Sequence, residues 1–513
     1  MLYKLLQQGV SAEVLEAADG VGGTWYWNRY PGARCDVESL QYSYSFLPEL
    51  QQEWEWSERY ATQPEILRYL NHVADRLELR PHIRFGTRVK SATFDEAREL
   101  WIIEPERGER LTARFFILAT GCLSIPKLPE LPGRELYKGR VLQTSNWPHE
   151  PVDFTGQRVG VVGTGSSGIQ SVPILAQQAR ELVVFQRTPC FSVPAHNGPV
   201  DPAYRQYWNA NGPELREQAR TSFAGFPANG EPPVPALSVS AEERQKRYEE
   251  AWARGGLEFM GTFADLFFDR AANDTAVQFL HGKVRSLVQK PEVAEKLLPR
   301  GYPAFAKRLC VDSNYHATFN RPNVTLVDIT EHPIREMTET GLRTDEQSYE
   351  LDTIVFATGF DAVTGAALAI DIRGRSGVSL RSKWVAGPRT FLGLAVAGFP
   401  NMFLITGPGS PSVLSNMVLS IEQHVDWIAE CLEYLRSNDL DTIEADEVAE
   451  NEWVDHVIAV GNMSLFPQAP SWYTGANIPG KPRVFMVYFG GVGTYLQKCN
   501  EVTAARYAGF TCA

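Results

Sequence analysis

The 513 residues are too many for one compact core, so we expect two or three domains. A hydrophobic content of 44% with 21% charged residues is typical of soluble globular proteins, and a formal charge of −12 argues against a surface that binds nucleic acid. The seven scattered cysteines, with no C-x-x-C spacing, argue against a zinc site or a redox disulfide and favour reduced thiols in the cytoplasm.

The chain begins with elements that normally follow a phosphate loop. Leu2, Leu5 and Leu6 have helical spacing, in a run too short for a signal peptide or a membrane span, and residues 12–15 indicate a short strand that ends at Glu16. In a dinucleotide-binding unit such an acid holds a ribose about 20 residues after the glycines. We therefore expect Glu16 to bind an unphosphorylated ribose; the alternative is a solvated turn residue.

Two apolar strands, ARFFILATG (113–121) and DTIVFATGF (352–360), each reach Ala-Thr-Gly. Small residues there let a backbone approach a nucleotide or change direction between domains. Together the strands predict a protein with two dinucleotide sites, although either alone is also compatible with a buried strand and a turn.

A complete βαβ unit is predicted between residues 158 and 188. An apolar strand precedes the G-x-G-x-x-G of Gly163, Gly165 and Gly168, and a helix and a second strand follow it. The flanking elements favour a dinucleotide site over a glycine-rich surface turn.

The residues after the second strand indicate which nicotinamide cofactor binds. Gln186, Arg187 and Thr188 stand where an acid would bind a ribose hydroxyl, and they suit a 2′-phosphate instead. The sequence therefore predicts NADPH, the alternative being that Arg187 is a solvated residue at the strand end. Gln186 follows Gly168 by 18 residues, and the same distance counted back from Glu16 falls just before Met1, so we expect the first phosphate loop to be absent from this chain.

The segment from Cys190 to about Leu298 differs in composition. It is rich in Pro and Gly up to 236 and then helical in pattern, with Ser240 as an N-cap. We interpret it as a helical insertion that covers the active-site side. Beyond it we expect a long helix over 412–435 and strands at FLGLAV and NMFLIT.

Two loops carry unusual chemistry. The first loop is VGGTWYWNRYPGARCDVES (21–39). Its many aromatic side chains would expose a large apolar surface, which indicates that a ligand or a domain interface covers it. The second loop is GYPAFAKRLCVDSNY (301–315), in which Lys307 and Arg308 lie beside an apolar strand. They are either surface charges or fixed cations in a pocket where negative charge develops on oxygen.

These motifs together resemble the flavin-dependent Baeyer-Villiger monooxygenases, most closely the phenylacetone and steroid monooxygenase branch. The resemblance covers essentially the whole chain and rests, in the expected order, on GGTWYWNRYPGARCD, LSIPKLPELPG, GTGSSGIQ, FQRTP, KRLCVD, ATGFD, GPGSPSVLSNM and SWYTGANIPGKP.

The resemblance implies an α/β fold with two Rossmann-like, dinucleotide-binding domains and a helical insertion. The expected division is 1–150 for the first part of the FAD-binding domain, 151–190 for the first part of the NADPH-binding domain, 191–300 for the insertion, 301–351 for the second NADPH part and 352–513 for the second FAD part. It also implies a reaction in which NADPH reduces FAD, O₂ forms a flavin C4a-peroxide, and a ketone becomes an ester or lactone.

The resemblance assigns roles residue by residue. Arg308 would stabilise negative charge on oxygen, which suits a cation that keeps its proton, and Asp36 would orient Arg308. The expected FAD contacts are Glu16, Thr24, Trp25, Tyr26, Trp27, Arg34, Cys35, Asp36, Tyr42, Val89 and Met417. The expected NADPH contacts are Gly163, Thr164, Gly165, Ser166, Ser167, Gly168, Ile169, Gln170, Arg187, Thr188, Lys307, Arg308 and Trp472. For Met417 and Trp472, ordinary core packing is the alternative.

The chain departs from the family fingerprint F-x-G-x-x-x-H-x-x-x-W at residues 137–147. Gly139 and Trp147 are kept, whereas Tyr137 replaces Phe and Gln143 replaces His. Glutamine cannot carry a proton, so we expect a slower NADPH step.

Three other functions remain open at this stage. A related flavin monooxygenase would oxygenate sulfur or nitrogen, and a remnant without the first phosphate loop would bind NADPH but hold no flavin. A disulfide reductase is poorly supported because C-x-x-C is absent. The expected partners are a small ketone and O₂, with no nucleic acid, membrane or metal.

Overall fold

Short strands and helices alternate along the chain, and the computed structural model describes residues 1–227, 230 and 232–513. The helices are α1 (Leu2–Gln7), α2 (Thr24–Trp27), α3 (Pro48–Glu53), α4 (Gln63–Arg76), α5 (Ser166–Gln178), α6 (Pro202–Thr221), α7 (Ala241–Arg254), α8 (Arg270–Leu287), α9 (Pro291–Leu297), α10 (Tyr315–Thr318), α11 (Gly365–Leu368), α12 (Leu380–Lys383), α13 (Met417–Ser437), α14 (Glu447–Asn462) and α15 (Val492–Ala504). The strands are β1 (Val14–Leu15), β2 (Ile83–Arg84), β3 (Val89–Asp95), β4 (Leu100–Pro105), β5 (Leu111–Ala113), β6 (Phe116–Leu118), β7 (Arg140–Gln143), β8 (Arg158–Val162), β9 (Glu181–Gln186), β10 (Ser192–Pro194), β11 (Cys310–Asp312), β12 (Val324–Asp328), β13 (Ile334–Thr338), β14 (Gly341–Thr344), β15 (Ser348–Glu350), β16 (Thr353–Phe356), β17 (Asp371–Arg373), β18 (Met402–Leu404), β19 (Ile443–Ala445) and β20 (Phe510–Cys512).

The predicted βαβ unit is present as β8, α5 and β9. These strands belong to a five-stranded parallel sheet in the order β12-β9-β8-β16-β7. Apolar side chains of β8 and β9 face α5 and form a fully buried core, as expected for a parallel sheet covered by helices. Strands β7 and β16 lie outside 151–190 and 301–351, so this sheet extends beyond the ranges predicted for the NADPH-binding unit.

The second unit is built from smaller pieces. Strand β1 pairs in parallel with β2, and β6 pairs in parallel with β18. An antiparallel sheet of β3, β4 and β5, with β17 at its edge, packs beside them around Trp101 and Phe94. The expectation that a first phosphate loop is absent from the chain stays a prediction.

Helices α6 to α9 occupy the segment between β10 and β11. Their core stacks Tyr248, Phe259 and Phe279, with ring centroids 5.2 to 5.8 Å apart. Ser240 caps α7 as predicted, because its hydroxyl accepts the Glu243 N–H at 3.2 Å. Residues 228, 229 and 231 of the predicted insertion lie outside the described residues.

Three local predictions need correction. FLGLAV forms a turn closed by a bridge between Phe391 and Ala395, whereas NMFLIT contains β18 as predicted. The long helix begins at Met417 rather than near 412, because Asn416 caps it through the Val418 N–H. The TWYW segment forms the single turn α2. Within the described part of the chain, no helix has both the length and the apolar character needed to cross a membrane.

Candidate active site

The site centres on a cation that is held by one carboxylate. The Arg308 guanidinium donates from Nε and Nη2 to Asp36 Oδ2, at 3.1 and 2.7 Å, and from Nη1 to the Val413 carbonyl at 3.0 Å. Asp36 lies in the aromatic loop, residues 21–39, and Arg308 lies two residues before β11, so the fold joins residues 272 positions apart. The predicted Arg308–Asp36 pair is therefore formed, with each side chain 25% exposed.

Tyr473 is a part of this centre that the sequence did not single out. Its ring is buried and its hydroxyl lies beside the Arg308 guanidinium. Burial raises the pKa of Tyr473 to about 12, although Arg308 opposes the shift. Burial alone would lower the pKa of Arg308, but the Asp36 carboxylate outweighs it and holds that pKa above its usual value. Arg308 is thus a permanent cation and Tyr473 a neutral phenol.

No sequence pattern distinguishes Tyr473 from its aromatic neighbour Trp472. Trp472 is half-buried, with its ring centroid 4.1 Å from that of Tyr473. Both rings lie in an apolar cluster with Val413 and Met417, which begins α13. The structure thus brings Trp472 and Met417 beside the arginine, in a position compatible with both core packing and ligand contact.

The aromatic loop presents a partly exposed surface of aromatic side chains. Trp25 Nε1 donates to the Tyr42 hydroxyl at 3.2 Å, while Tyr26 is buried and donates to Asp19. Trp27 is half-buried and its carbonyl accepts the Trp147 N–H at 3.4 Å. Thr24 is exposed beside them. Flat apolar surface of this kind suits an aromatic ring system.

The side chains of Arg34 and Cys35, which directly precede Asp36, contact the protein interior. Arg34 pairs with Glu58 at 2.9 Å and donates to the Tyr60 carbonyl at 3.1 Å. The Cys35 thiol is buried, and burial raises its pKa above the usual value. Their side chains hold the loop in place, so any predicted cofactor contact of Arg34 and Cys35 would come from the backbone.

Glu16 and Val89 lie at the far end of the same unit. The Glu16 carboxylate accepts the Ala18 N–H at 2.7 Å, and its carbonyl accepts the Thr87 N–H at 2.8 Å. Val89 begins β3 two residues later and is half-buried. An acid fixed this way at a strand end suits a ribose hydroxyl.

The G-x-G-x-x-G loop has no room for side chains at two of its glycines. A Cβ on Gly163, whose φ is +112°, would lie 2.4 Å from the Ala357 carbonyl oxygen, and one on Gly168 would lie 2.2 Å from the Gly163 oxygen. Gly165 is exposed with nothing within 4 Å, directly before α5. Free N–H groups at a helix start and an open glycine fit a pyrophosphate.

The remaining loop residues divide into two groups. Thr164 is buried and donates to the Thr188 carbonyl at 3.1 Å, Ser166 contacts Cys310 Sγ at 3.5 Å, and Ile169 is buried in the core. Gln170 instead accepts from the Tyr30 hydroxyl at 2.8 Å and donates to the Arg34 carbonyl at 3.1 Å. Ser167 also lies at the Tyr30 hydroxyl. The side chains of Ser167 and Gln170 therefore join α5 to the aromatic loop, where the sequence predicted cofactor contact.

Cations gather where the 2′-phosphate was predicted. Arg187 is exposed and Thr188 and Lys307 are half-buried, and the Lys307 ammonium lies 4.5 Å from the centre of the Tyr302 ring. Burial and the nearby Arg187 charge lower the pKa of Lys307, against the effect of Cys190. Burial and Arg187 also lower the pKa of Lys127, a cation that the sequence did not suggest.

Comparison with known proteins decides the family. The family model described as pyridine nucleotide-disulphide oxidoreductase matches residues 38–209. A Baeyer-Villiger monooxygenase of Pseudooceanicola batsensis is 42% identical over 508 residues, which cover 98% of this chain and 92% of that protein. This chain belongs to the Baeyer-Villiger monooxygenases. A phenazine N-monooxygenase of Lysobacter antibioticus is also 42% identical, over 99% of this chain and 94% of its own.

Solved structures agree with this assignment to the Baeyer-Villiger monooxygenases. An oxidized steroid monooxygenase bound to NADP is 51% identical, with a TM-score of 0.95, covering 100% of this chain and 96% of that one. The structure of OTEMO in complex with FAD and NADP is 40% identical with a TM-score of 0.96, covering 100% of this chain and 97% of that one. The predicted family and the predicted cofactors FAD and NADPH are therefore confirmed, and all seven cysteines are free thiols.

The altered Baeyer-Villiger fingerprint packs along β16 of the five-stranded sheet. Tyr137 donates to the Leu351 carbonyl at 2.9 Å, and a Cβ on Gly139 would lie 2.7 Å from the Asp352 oxygen. Gln143 ends β7 beside Phe356, and its Nε2 is buried with no hydrogen-bond partner among the described residues. A buried amide without a partner is costly, so this position is not optimised for stability alone.

Proposed function

We propose that this protein catalyses the NADPH- and O₂-dependent oxidation of a ketone to an ester or lactone. One ketone, one O₂, one NADPH and one proton give one ester, one NADP⁺ and one water. The observation that carries the proposal is the enclosed Arg308 cation, fixed by Asp36 and next to the neutral phenol of Tyr473.

Arg308 holds a fixed positive charge where negative charge develops on the ketone oxygen. In an enclosed site such a charge acts strongly and needs no reorganisation during the reaction. Asp36 and the Val413 carbonyl orient the guanidinium, and the apolar cluster with Trp472 and Met417 excludes water. FAD, when bound, supplies the activation of O₂.

The two cofactors have different sets of binding residues. Glu16, Val89, Tyr42 and the TWYW turn suit FAD, through a ribose contact at one end and aromatic surface at the other. The glycine loop with Arg187, Thr188 and Lys307 suits NADPH. We extend the NADPH-binding unit to include β7 and β16 because both pair in its sheet. Helices α6 to α9 form an insertion over the ketone side, and the seven free thiols favour the cytoplasm.

A second candidate reaction is oxygenation of nitrogen, favoured by the similarity to a phenazine N-monooxygenase. An amine nitrogen donates its lone pair and builds no charge on a carbonyl oxygen, so that reaction has little need for Arg308. The purified protein with FAD, NADPH and O₂ should be given a cyclic ketone, an aromatic thioether and an aromatic amine in parallel. Lactone formation that depends on Arg308 supports the proposal, whereas N-oxide or sulfoxide alone contradicts it. NADPH binding by a protein that holds no flavin would indicate the third alternative, a non-catalytic remnant.

A further inference from the structure

The turn that carries Tyr473 has little regular structure of its own. Residues 471–482 contain one short 3₁₀ turn, Trp472–Thr474, which stops at Gly475 with φ +72°. A Cβ on Gly475 would lie 2.6 Å from the Pro482 carbonyl oxygen, so the segment folds closely back on itself. We call residues 471–482 the tyrosine loop. Its contacts with other elements must fix the position of Tyr473.

The strongest of these contacts is an ion pair at the end of the loop. Lys481 Nζ lies 2.6 Å from Asp361 Oδ1 and donates to the Ala362 carbonyl at 2.7 Å. The Lys481 side chain is 10% exposed and that of Asp361 is 32% exposed, so solvent screens the pair only in part. Two hydrogen bonds extend it, from Asn477 Nδ2 to the Phe360 carbonyl at 2.7 Å and from Lys127 Nζ to the Asn477 carbonyl.

Asp361 connects the tyrosine loop to the NADPH-binding sheet. It follows the Ala-Thr-Gly-Phe segment that comes directly after β16, and its N–H donates to the Ile125 carbonyl at 2.9 Å. Lys127 completes the connection, because its N–H donates to the Gly359 carbonyl at 2.8 Å and its carbonyl accepts from Thr358. The charged end of the loop is therefore bonded to the segment after β16, whose first residue, Ala357, packs against Gly163 of the glycine loop.

We propose that Lys481 and Asp361 are positioning residues for the oxidation: their ion pair holds the tyrosine loop so that Tyr473 stays against Arg308. This inference rests on the proposed function. Removing the pair frees the loop, including Trp472 and Tyr473, but leaves the glycine loop, Arg187 and the Arg308–Asp36 pair in place, so NADPH is consumed with less product formed. Misplacement of a group near the reacting atoms is enough to lower product formation strongly.

The test uses Lys481→Met, which keeps the length of the side chain but removes its charge. Lys498→Met is the matched control, because Lys498 forms an exposed pair with Glu501 at 3.5 Å, remote from the loop. The FAD- and NADPH-loaded protein is digested briefly with trypsin, and cleavage after the exposed Arg483 is timed by mass spectrometry. Trypsin does not cut before proline, so replacing Lys481 removes no cleavage site.

We expect cleavage after Arg483 to accelerate about tenfold in Lys481→Met, as for the loss of one charge-assisted hydrogen bond, with a lower ratio of ester to NADPH consumed. Lys481→Arg should restore both values, and Lys498→Met should change neither. Unchanged cleavage in Lys481→Met would overturn the proposal, as would faster cleavage with an unchanged product ratio. If the parent protein forms no ester, the proposed function fails, and the cleavage rates still decide whether the pair holds the loop.

Discussion

Lys307 and Arg308 are adjacent in the sequence but lie in regions with different charge arrangements. Arg308 pairs with a carboxylate, whereas Lys307 lies near another cation. The arginine centre consists of Arg308, Asp36, Tyr473 and the Val413 carbonyl, and its cation is paired within the protein. The phosphate-side cluster consists of Arg187, Lys127 and Lys307. There the pKa of each lysine is lowered by burial and by Arg187.

The difference indicates what each region binds. A cation that is already paired keeps a constant charge and orientation, which suits a transient negative charge during a reaction. Cations that repel one another instead favour a ligand that brings its own permanent charge, such as a phosphate. Under the proposed function, one short stretch of chain would thus contribute both to the chemistry and to the choice of cofactor.

The largest expected effect comes from Arg308→Ala. Ester formation should fall by about 10³-fold, the loss typical of removing a preorganised group that stabilises charge on oxygen. Binding of NADPH should change little, since the glycine loop and Arg187 remain. Product is measured by chromatography, and urea unfolding checks that the variant is folded. Arg308→Lys keeps the charge but not the fork of donors, so it should recover only part of the activity. Normal ester formation in Arg308→Ala would remove the basis for the arginine centre.

Asp36→Asn should have a smaller effect on the same region. The amide keeps the shape of the carboxylate but loses the charge that orients Arg308, so ester formation should drop by roughly 10- to 100-fold. The ratio of ester to NADPH consumed separates this loss from weaker cofactor binding. Glu58→Gln is the control, because Glu58 pairs with Arg34 in the same loop region. Equal losses in both variants would show that loop stability matters rather than the orientation of Arg308.

The sequence predicted the strands and the helix of the phosphate-side region because their signal is local, whereas the NADPH contacts there stay a prediction. One stretch of about thirty residues contains the glycines, the flanking strands and Arg187. The geometric requirement for glycine in this loop is a general property of the motif. The elements β8, α5 and β9 followed directly. The local pattern did not indicate that the Gln170 side chain contacts Tyr30, because that contact depends on how the aromatic loop packs on α5, and the NADPH contact of Gln170 stays a prediction.

The arginine centre was only half predictable. Motif resemblance paired Arg308 with Asp36, but Tyr473 joins them from a segment whose position depends on contacts with Asp361 and Lys127. No periodicity encodes such contacts between distant residues. The place of β7 and β16 in this sheet was not predictable for the same reason, because it follows only from strand pairing, and the domain limits stay a prediction.

On the phosphate side, Arg187→Ala should raise the KM for NADPH by roughly 10- to 100-fold, the cost of one charged hydrogen bond, with kcat largely kept. The KM for NADH should hardly change because NADH lacks the 2′-phosphate. Arg180→Ala provides the control, since Arg180 belongs to the same unit and pairs only with its neighbour Glu181 at 3.5 Å among the described residues. A parallel rise for both cofactors would mean that Arg187 supports the fold rather than the phosphate.

Lys307→Met should give the smallest effect, a rise of about fivefold in the KM for NADPH, because Lys307 is one of several cations in the cluster. Its pH dependence is more informative. Burial and Arg187 lower the pKa of Lys307 from its usual 10.5, so its charge is lost at a lower pH than that of an exposed lysine. Only the charged form attracts a phosphate, and NADPH affinity in the parent protein should therefore decline as pH rises through this lowered pKa. Lys307→Met should show a shallower decline, carried by Lys127, whose pKa is lowered in the same direction. NADH affinity should not follow this profile in either protein. An identical NADPH profile in both proteins would exclude Lys307 from the phosphate contact.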